Sequence, residues 1–515
     1  MYPSRPCLTL RILRPSSLSS FSRPLLGVGV ELDALNVTGT VLRCEKRRRT
    51  LLCCRIRRRF GCGRGPCLCA MNESGRPVSS GVNVLTHRSV LAIAVPVMLS
   101  NVSTPLIGIV DTAVVGRIPN PAYIGAVAVG ALMFSFIFWA FGFLRMGTTG
   151  LTAQAFGRED DPEIRASLGR ALLIAGFAGC ILIAIQLPLR AVAFGLLAGS
   201  EQVESLARAY FDIRIWAAPA TLANYAILGW FIGLGRTDIG LVLQLVLNVS
   251  NMLLDALFVI GFGWDVRGVA AGTLLAEFIA AAVGLVYALR HAEKFGRFRI
   301  DLPLWLHPAK LQRTIAVNAD IMIRSLALVF VFVWFMARGA AAGDVVLAAN
   351  AVLMQFNSVS AFFLDGLAFA AEALVGRAIG ARRHNMLLRA IRLTTVWAVA
   401  TAAVIVVVLW STGGFFIDAL TVDPETRAAA RTYLPWAACA PLLGVWAFQL
   451  DGIFIGATLS REMRNAMLLA TAIYLIAWWM LSPLGNHGLW AALWVSYLAR
   501  IATLARYLPR LVAPT

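Results

Sequence analysis

Two carboxylates lie inside long apolar stretches of the chain. Asp111 lies near the end of the segment 90–116, and Asp255 lies in the segment 239–262. An ionisable side chain inside an apolar span is costly, and it usually faces a cavity or a partner. Burial and a like-charged neighbour favour the protonated form of a carboxyl group. The chemistry expected of such a pair is the reversible binding of a proton or of a sodium ion.

The first carboxylate belongs to a stripe of small and polar residues. Four residues recur at helical spacing and share one helix face: Ser100, Thr104, Gly108 and Asp111. The simplest alternative is that Asp111 only marks the end of a helix at the membrane surface. The stripe favours the first interpretation, in which the carboxylate faces a cavity.

The second carboxylate has amide and hydroxyl neighbours. Asn248, Asn251 and Asp255 are spaced i, i+3 and i+7, which places them on one helix face. Thr273, early in the next apolar span, lies at a similar predicted depth and adds an oxygen. An equally good explanation of Asn248 is that its side chain forms a hydrogen bond that holds two helices together. Glu277, nearer the middle of the membrane, is a further polar candidate whose role stays open.

The composition is that of a membrane protein with many spans. Of 515 residues, 59% are hydrophobic and 14% are charged, against about 25% charged residues in soluble globular chains. The formal net charge of +19 does not indicate nucleic-acid binding. Residues 1–70 carry much of it, and the rest lies in loops between apolar spans, where membrane topology concentrates Lys and Arg.

Hydropathy predicts twelve spans, and an even number places both chain ends on one side. They cover residues 90–116, 123–149, 167–190, 207–230, 239–262, 268–290, 314–338, 345–371, 389–411, 432–457, 465–482 and 488–508. Arg and Lys concentrate in the even-numbered loops, which predicts that these loops and both termini are cytoplasmic. The expected regions are a cytoplasmic N-terminus 71–89, an N-lobe 90–290, a linker 291–313, a C-lobe 314–508 and a tail 509–515.

The first seventy residues differ from the rest of the chain. They hold seven of the nine cysteines and have no helical or strand periodicity. The cysteine spacing is not that of a zinc site, and no histidine accompanies it. We interpret residues 1–70 as a spurious upstream translation or a disordered extension, with Met71 as the true start. A transit peptide is the alternative, because the first 25 residues are rich in Arg and Ser.

The two halves of the apolar region are similar at an offset of about 223 residues. LTAQAFGRED (151–160) matches LVGRAIGARR (374–383), and GWFIGLGRT (229–237) matches GIFIGATLS (452–460). Each half has six spans, so the two repeats share one orientation. The predicted fold is an all-α membrane protein of twelve helices in two pseudo-symmetric six-helix bundles with a cavity between them.

The second half carries its acids elsewhere. Three of them, in the eighth and tenth spans, lie toward the cytoplasmic side: Asp365, Glu372 and Asp451. Asp320 and Arg324 are spaced i, i+4, which favours an ion pair within one helix. Arg145 is available to pair with one of the remaining acids, and the spacing does not decide which.

Familiar catalytic signatures are absent from the sequence. The five histidines fall at or beyond span ends without metal-ligand spacing, and there is no Walker A loop, GxSxG or HExxH motif. We therefore expect no enzymatic activity, no cofactor and no bound metal apart from a transported sodium ion.

The order of several motifs resembles the multidrug and toxic compound extrusion (MATE) transporters. The motifs are PLIGIVDTAVVGR (105–117), LNVSNMLLD (247–255) and RGVAAGTLLAE (267–277). A further group resembles the DNA-damage-inducible (DinF) branch: DIMIRSLAL (320–328), FFLDGLAFAAEALVGRAIGAR (362–382), LLGVWAFQLDGIFIGAT (442–458), EMRNAM (462–467) and LGNHGLW (484–490). The resemblance covers about residues 88–508 and excludes residues 1–70.

The resemblance implies a V-shaped pair of lobes and cation-coupled efflux by alternating access. It implies that Asp111 is the coupling acid of the first helix and that Asn251 and Asp255 are the coupling pair of the fifth. Thr273, Tyr210 and Asn224 fit the polar cluster of the same lobe. Two prolines of the first helix, Pro96 and Pro105, would let it bend as Asp111 is protonated.

The function expected is export of organic compounds by a monomeric antiporter of the bacterial inner membrane. The coupling ion expected is the proton, with sodium as the alternative. Its partners are small organic substrates and membrane lipids. An organelle membrane is the alternative location if residues 1–70 are a transit peptide. The alternative function is a flippase for lipids or lipid-linked oligosaccharides, which would be expected to line its cavity with arginines.

Overall fold

The computed structural model describes residues 9–12, 42–45, 69–70, 85–118, 120–196, 200–297 and 301–512. The chain divides into two compact units, Met1–Val84 and Leu85–Thr515. The first unit contains three short strands that the sequence did not predict: β1 Thr9–Ile12, β2 Leu42–Glu45 and β3 Cys69–Ala70. Their order is β2-β1-β3, with β1 antiparallel to β2 and parallel to β3. Most of residues 1–70 lie outside the described residues, so their origin stays a prediction.

The second unit is built from helices, and twelve of those described are long and apolar enough to cross a membrane. They are TM1 His87–Val115, TM2 Ala122–Gly157, TM3 Asp161–Ala184, TM4 Glu201–Gly233, TM5 Thr237–Gly261, TM6 Val266–Phe295, TM7 Pro308–Ala341, TM8 Asp344–Gly380, TM9 His384–Leu420, TM10 Pro424–Ala457, TM11 Ser460–Leu484 and TM12 Asn486–Val512. All twelve predicted spans are confirmed. Several helices are longer than the apolar segments predicted from the sequence, because polar residues continue the helix beyond those segments.

Three spans of the first half are interrupted. TM2 consists of the α-helices Pro121–Ala140 and Phe143–Gly157, and TM4 of Glu201–Arg214, the 3-10 turn Ile215–Ala217 and Ala218–Gly233. In TM5 the α-helix ends at Asp255 and continues as the π-helix Ala256–Gly261. A π-turn often marks a functional position. Asp255 therefore lies where the helical hydrogen-bond pattern changes.

Shorter segments complete the unit. The α-helices outside the spans or at their ends are Gln186–Leu196, Leu302–Trp305 and Leu508–Val512, and 3-10 turns cover Glu293–Phe295 and Ser482–Leu484. Side chains cap several span starts, as expected for exposed helix N-termini. Asp423 accepts hydrogen bonds from the backbone and hydroxyl of Thr426, and these bonds lower the pKa of the Asp423 carboxyl.

Backbone geometry confirms the internal repeat. Glu159 and Arg382 follow TM2 and TM8, and Gly235 and Thr458 follow TM4 and TM10; all four have positive φ, between 53° and 70°. The members of each pair are 223 residues apart. A non-glycine residue rarely adopts this conformation, although it is a common way to end a helix. The two six-helix halves therefore end equivalent helices with the same turn.

The two lobes meet through closely packed backbones. We call the face where TM1 begins and TM2 ends the inner face; its assignment to the cytoplasm stays a prediction. Near it, an added Cβ at Gly150 would lie 2.3 Å from the Ile455 carbonyl oxygen, and one at Gly380 would lie 2.1 Å from that of Gln154. Such contacts are closer than any real side chain allows. Small residues of this kind let membrane helices approach each other, so the described lobes are closed at the inner face.

Candidate functional site

The two predicted carboxylates lie beside each other in the N-lobe. TM1 packs against TM5, and the side chains of Asp111 and Asp255 interact across this contact. Asp255 is fully buried. The Oδ1 atoms of both residues are buried without a hydrogen-bond partner among the described residues. Because a buried carboxylate oxygen needs a donor or a cation, both atoms are available to a proton or a metal ion.

A chain of hydrogen bonds holds Asp255 from TM5 to TM6. The Asn251 Nδ2 donates to Asp255 Oδ2 at 2.9 Å and lies 3.1 Å from Thr273 Oγ1. Thr273 donates in turn to the carbonyl oxygen of Val269 at 2.9 Å. Tyr210 of TM4 is buried and interacts with Thr273. The structure thus brings five of the predicted residues together in a single cluster, which we call the N-lobe cluster: Asp111, Tyr210, Asn251, Asp255 and Thr273.

A glycine makes room for the central carboxylate. A Cβ added to Gly272 of TM6 would lie 2.0 Å from Asp255 Oδ1. Any side chain at this position would displace the carboxylate oxygen that has no partner. The position of Asp255 therefore depends on the absence of a side chain across the TM5–TM6 contact.

Asn224 and Glu277 form a separate polar pair in the same lobe. The Asn224 Nδ2 donates to Glu277 Oε2 at 2.8 Å and to the Glu277 carbonyl oxygen at 3.1 Å. Glu277 is buried. The pair joins TM4 to TM6, and the structure describes no hydrogen bond from it to the N-lobe cluster.

Asn248 has a different environment from Asn251. Its Nδ2 donates to Ser103 Oγ at 2.8 Å and to the Ser103 carbonyl oxygen at 3.2 Å, and its Oδ1 accepts from Gln244 at 2.8 Å. The bonds to Ser103 join TM5 to TM1, and together with the Gln244 bond within TM5 they use both the nitrogen and the oxygen of the amide. Of the two interpretations left open by the sequence, the hydrogen bond between helices is the one the geometry favours.

Arg214 of TM4 is a charged residue near this site that was not predicted from the sequence. Its guanidinium carbon lies 5.4 Å from the centroid of the Phe134 ring, and its Nε and Nη1 atoms are buried without a described hydrogen-bond partner. It interacts electrostatically with Asp111, Asp255 and Glu277. Its spacing of four residues from Tyr210 would have placed it on the same helix face.

A second set of charges lies partly between the two lobes and partly within the C-lobe. Arg145 of TM2 forms a buried ion pair with Glu372 of TM8 at 3.2 Å, and its guanidinium carbon lies 3.7 Å from the Phe369 ring centroid. Asp451 of TM10 pairs with both Arg324 and Arg500. We call these five charged residues the inner ion network. The partner of Arg145, which the sequence did not identify, is therefore Glu372.

The predicted pair of Asp320 with Arg324 is wrong. Asp320 pairs with Arg464 at 2.6 Å and accepts a hydrogen bond from Ser460 at 2.9 Å. Arg324 turns to Asp451 instead. Helical spacing allows the intrahelical pair, but each side chain pairs with a residue of another helix in the same lobe. The partner of Arg324 lies on TM10, and the partner of Asp320 lies on TM11.

Asp365 lies apart from the N-lobe cluster. It is half-buried on TM8 and interacts electrostatically with Arg145 and Arg324, without a hydrogen bond among the described residues. The predicted site residues therefore divide between the N-lobe cluster, the Asn224–Glu277 pair, the helix contact of Asn248 and the edge of the inner ion network. Within the described residues, no group of three or more His, Cys, Asp or Glu could hold a metal ion.

Known proteins share this sequence pattern and fold. The model of the MatE family matches residues 96–257 and 321–480, one segment in each half. The chain is 39% identical to the DNA damage-inducible protein F of Escherichia coli K12 over 80% of this chain and 90% of that protein. It is 28% identical to a probable multidrug resistance protein NorM of Caulobacter vibrioides over 81% of this chain and 90% of that protein.

Solved structures agree on the fold. A MOP superfamily transporter from Pyrococcus furiosus superposes with a TM-score of 0.74 at 16% identity, over 83% of this chain and 96% of that one. A MATE protein in the bent conformation gives a TM-score of 0.75 at 17% identity, over 82% and 95%.

Proposed function

Because this chain belongs to the MatE family, we propose that it exports small organic compounds across the bacterial inner membrane in exchange for protons. Relatives named as multidrug resistance proteins support the class of substrate. The carboxyl pair of Asp111 and Asp255 supports the coupling, since both have a buried oxygen without a hydrogen-bond partner among the described residues. This pair is the observation that carries the proposal.

The cycle follows from the charge of the pair. Two ionised carboxylates side by side in a low dielectric repel each other, and one proton removes most of that repulsion. Protonation from the outer side would release a bound compound, and loss of the proton toward the cytoplasm would prepare the site for the next one. Pro96 and Pro105 lie inside the TM1 helix, and they would let TM1 change its curvature as Asp111 changes charge.

Sodium remains the alternative ion for a structural reason. The Oδ1 atoms of Asp111, Asp255 and Asn251 are all buried without a described partner, and oxygen atoms are the ligands of alkali and alkaline-earth cations in proteins. A flippase is less well supported, because three arginines of the inner ion network are already paired with carboxylates.

The test uses protein that begins at Met71, reconstituted in proteoliposomes with an internal pH dye. A gradient of a cationic drug is imposed with and without sodium. Drug-dependent proton movement that is lost in Asp111→Asn supports the proposal. Asp212→Asn is the control, because Asp212 is half-exposed and pairs with Arg190 away from the cluster. Proton movement that survives in Asp111→Asn would refute the assignment of the site, and a response only with sodium would change the coupling ion.

A further inference from the structure

Arg338 of TM7 is a charged side chain without a described counter-charge. It lies in the last turn of its helix. TM7, like TM1, starts at the inner face, so Arg338 lies at the opposite face, which we call the outer face. The acid closest to it in the sequence, Asp344, is exposed at the start of TM8. Among the residues that the structure describes, the Arg338 guanidinium has neither an ion pair nor a hydrogen bond, and its Nε atom is buried.

Two tryptophans hold this guanidinium in place. Its carbon lies 4.7 Å from the centroid of the Trp334 ring and 5.3 Å from that of the Trp478 ring, and the two rings pack edge to face. Such cation–π contacts fix a guanidinium but supply no oxygen atom for its N–H groups. The Nε1 of Trp334 is likewise buried without a hydrogen-bond partner in the described part of the chain. The site therefore combines a positive charge with N–H donors and lacks an acceptor.

The site lies on a part of the C-lobe that faces the membrane. Trp478 belongs to TM11, which packs mainly against TM7 and TM12 and is the least buried of the twelve spans described. The two residues after it, Trp479 and Met480, are 72% and 66% exposed. So apolar and exposed a surface on a span is covered by lipid, and the end of a span lies at the depth of the lipid headgroups. Arg338, which is itself half-buried, can be reached from that depth.

We propose that Arg338, Trp334 and Trp478 bind the phosphate of an anionic phospholipid. A phosphodiester brings the two things that the site lacks, a negative charge and oxygen acceptors, and the planar guanidinium fits phosphate oxygens. The acyl chains of the lipid would lie along the exposed apolar surface beside Trp479 and Met480. Tryptophans alone would serve as ordinary anchors at the membrane interface, but such anchors do not need an arginine between them. Basic pockets between membrane helices are a recognised way to bind lipid headgroups.

The test follows the melting temperature of purified full-length protein in detergent, so it does not depend on transport. Phosphatidylglycerol is compared with a diacylglycerol of the same acyl chains, which lacks the phosphate, and with inorganic phosphate, which lacks the chains. A ligand that binds the folded state stabilises it by mass action, so the concentration needed for a given stabilisation reports the affinity. We expect stabilisation of the wild type by phosphatidylglycerol alone, and an affinity lower by about tenfold or more in Arg338→Gln, because a hydrogen bond between charged groups is lost. The loss should be smaller in Arg338→Lys, which keeps the charge but not the planar guanidinium.

Arg208→Gln is the matched control and should respond to phosphatidylglycerol as the wild type does. Its guanidinium carbon also lies near an aromatic ring, 5.3 Å from the Phe194 centroid, but Arg208 already pairs with Glu204 at 2.5 Å. Equal stabilisation of the wild type by diacylglycerol or by inorganic phosphate would overturn the inference, and so would no stabilisation at all; these results need no variant to fold. An Arg338→Gln protein with the affinity of the wild type would also overturn it, and Arg338→Met repeats the measurement if the glutamine variant does not fold.

Discussion

The guanidinium of Arg145 and the carboxylate of Glu372 lie 3.2 Å apart and are both buried between the two lobes. Arg145 belongs to TM2 and Glu372 to TM8, so this ion pair links the halves of the internal repeat. An alternating-access cycle must separate the lobes at the inner face. Opening that face therefore requires the pair to break or to find new partners.

Glu372→Gln should destabilise the closed inner face, because it leaves a buried arginine without its partner. Breaking a buried ion pair costs about 3–5 kcal/mol. The matched control is Asp212→Asn, which breaks the more exposed pair with Arg190 at 2.7 Å and should cost about 0–1 kcal/mol. Thermal unfolding of the purified proteins measures both changes. Equal losses of stability in the two variants would show that the pair between the lobes contributes no more than an exposed ion pair does.

Gly272→Ala should abolish proton coupling while leaving the protein folded. The new Cβ would lie 2.0 Å from Asp255 Oδ1, so the carboxylate must move away from Asp111. Overpacking of this kind costs about 1–3 kcal/mol. Gly176→Ala in TM3 is the control, since no atom lies within 4 Å of its added Cβ. Drug-dependent proton movement is the measurement, and an alanine variant that couples normally would contradict the geometry.

Asn248→Ala should mainly lower stability, whereas Asn251→Ala should mainly impair proton coupling. Asn248 joins TM5 to TM1 through Ser103, so its loss should lower stability by about 0.6–2 kcal/mol and leave coupling intact. Asn251 holds the coupling carboxylate at 2.9 Å, so its loss should impair coupling more than folding. Melting temperature and proton movement are measured for both variants. Loss of coupling in Asn248→Ala alone would reverse the two assignments.

Much of the fold was predictable because a membrane restricts what a chain can do. A span must be long and apolar enough to cross about 30 Å of hydrocarbon and must satisfy its own backbone hydrogen bonds. The twelve spans follow from that requirement. The repeat was visible in the motifs that end TM2 and TM8, and the matching turns at Glu159 and Arg382 confirm it.

Part of the site was predictable for a related reason. Helical spacing puts Asn251 and Asp255 on one face, and similar depth suggested that Asp111 lies nearby. The same rule failed for Asp320, whose actual partner, Arg464, is 144 residues away. Spacing identifies contacts that are possible within a helix, but it does not compare them with contacts from other helices.

The sequence alone determined the helices, their number, the repeat and the face on which each acid lies, because these depend on local hydropathy and helical period. Tertiary structure decided which charges meet. It paired Arg145 with Glu372 and Asp320 with Arg464, and it opened the space at Gly272 for Asp255. These outcomes depend on how helices distant in the chain pack, and electrostatic energy in a low dielectric varies steeply with that distance.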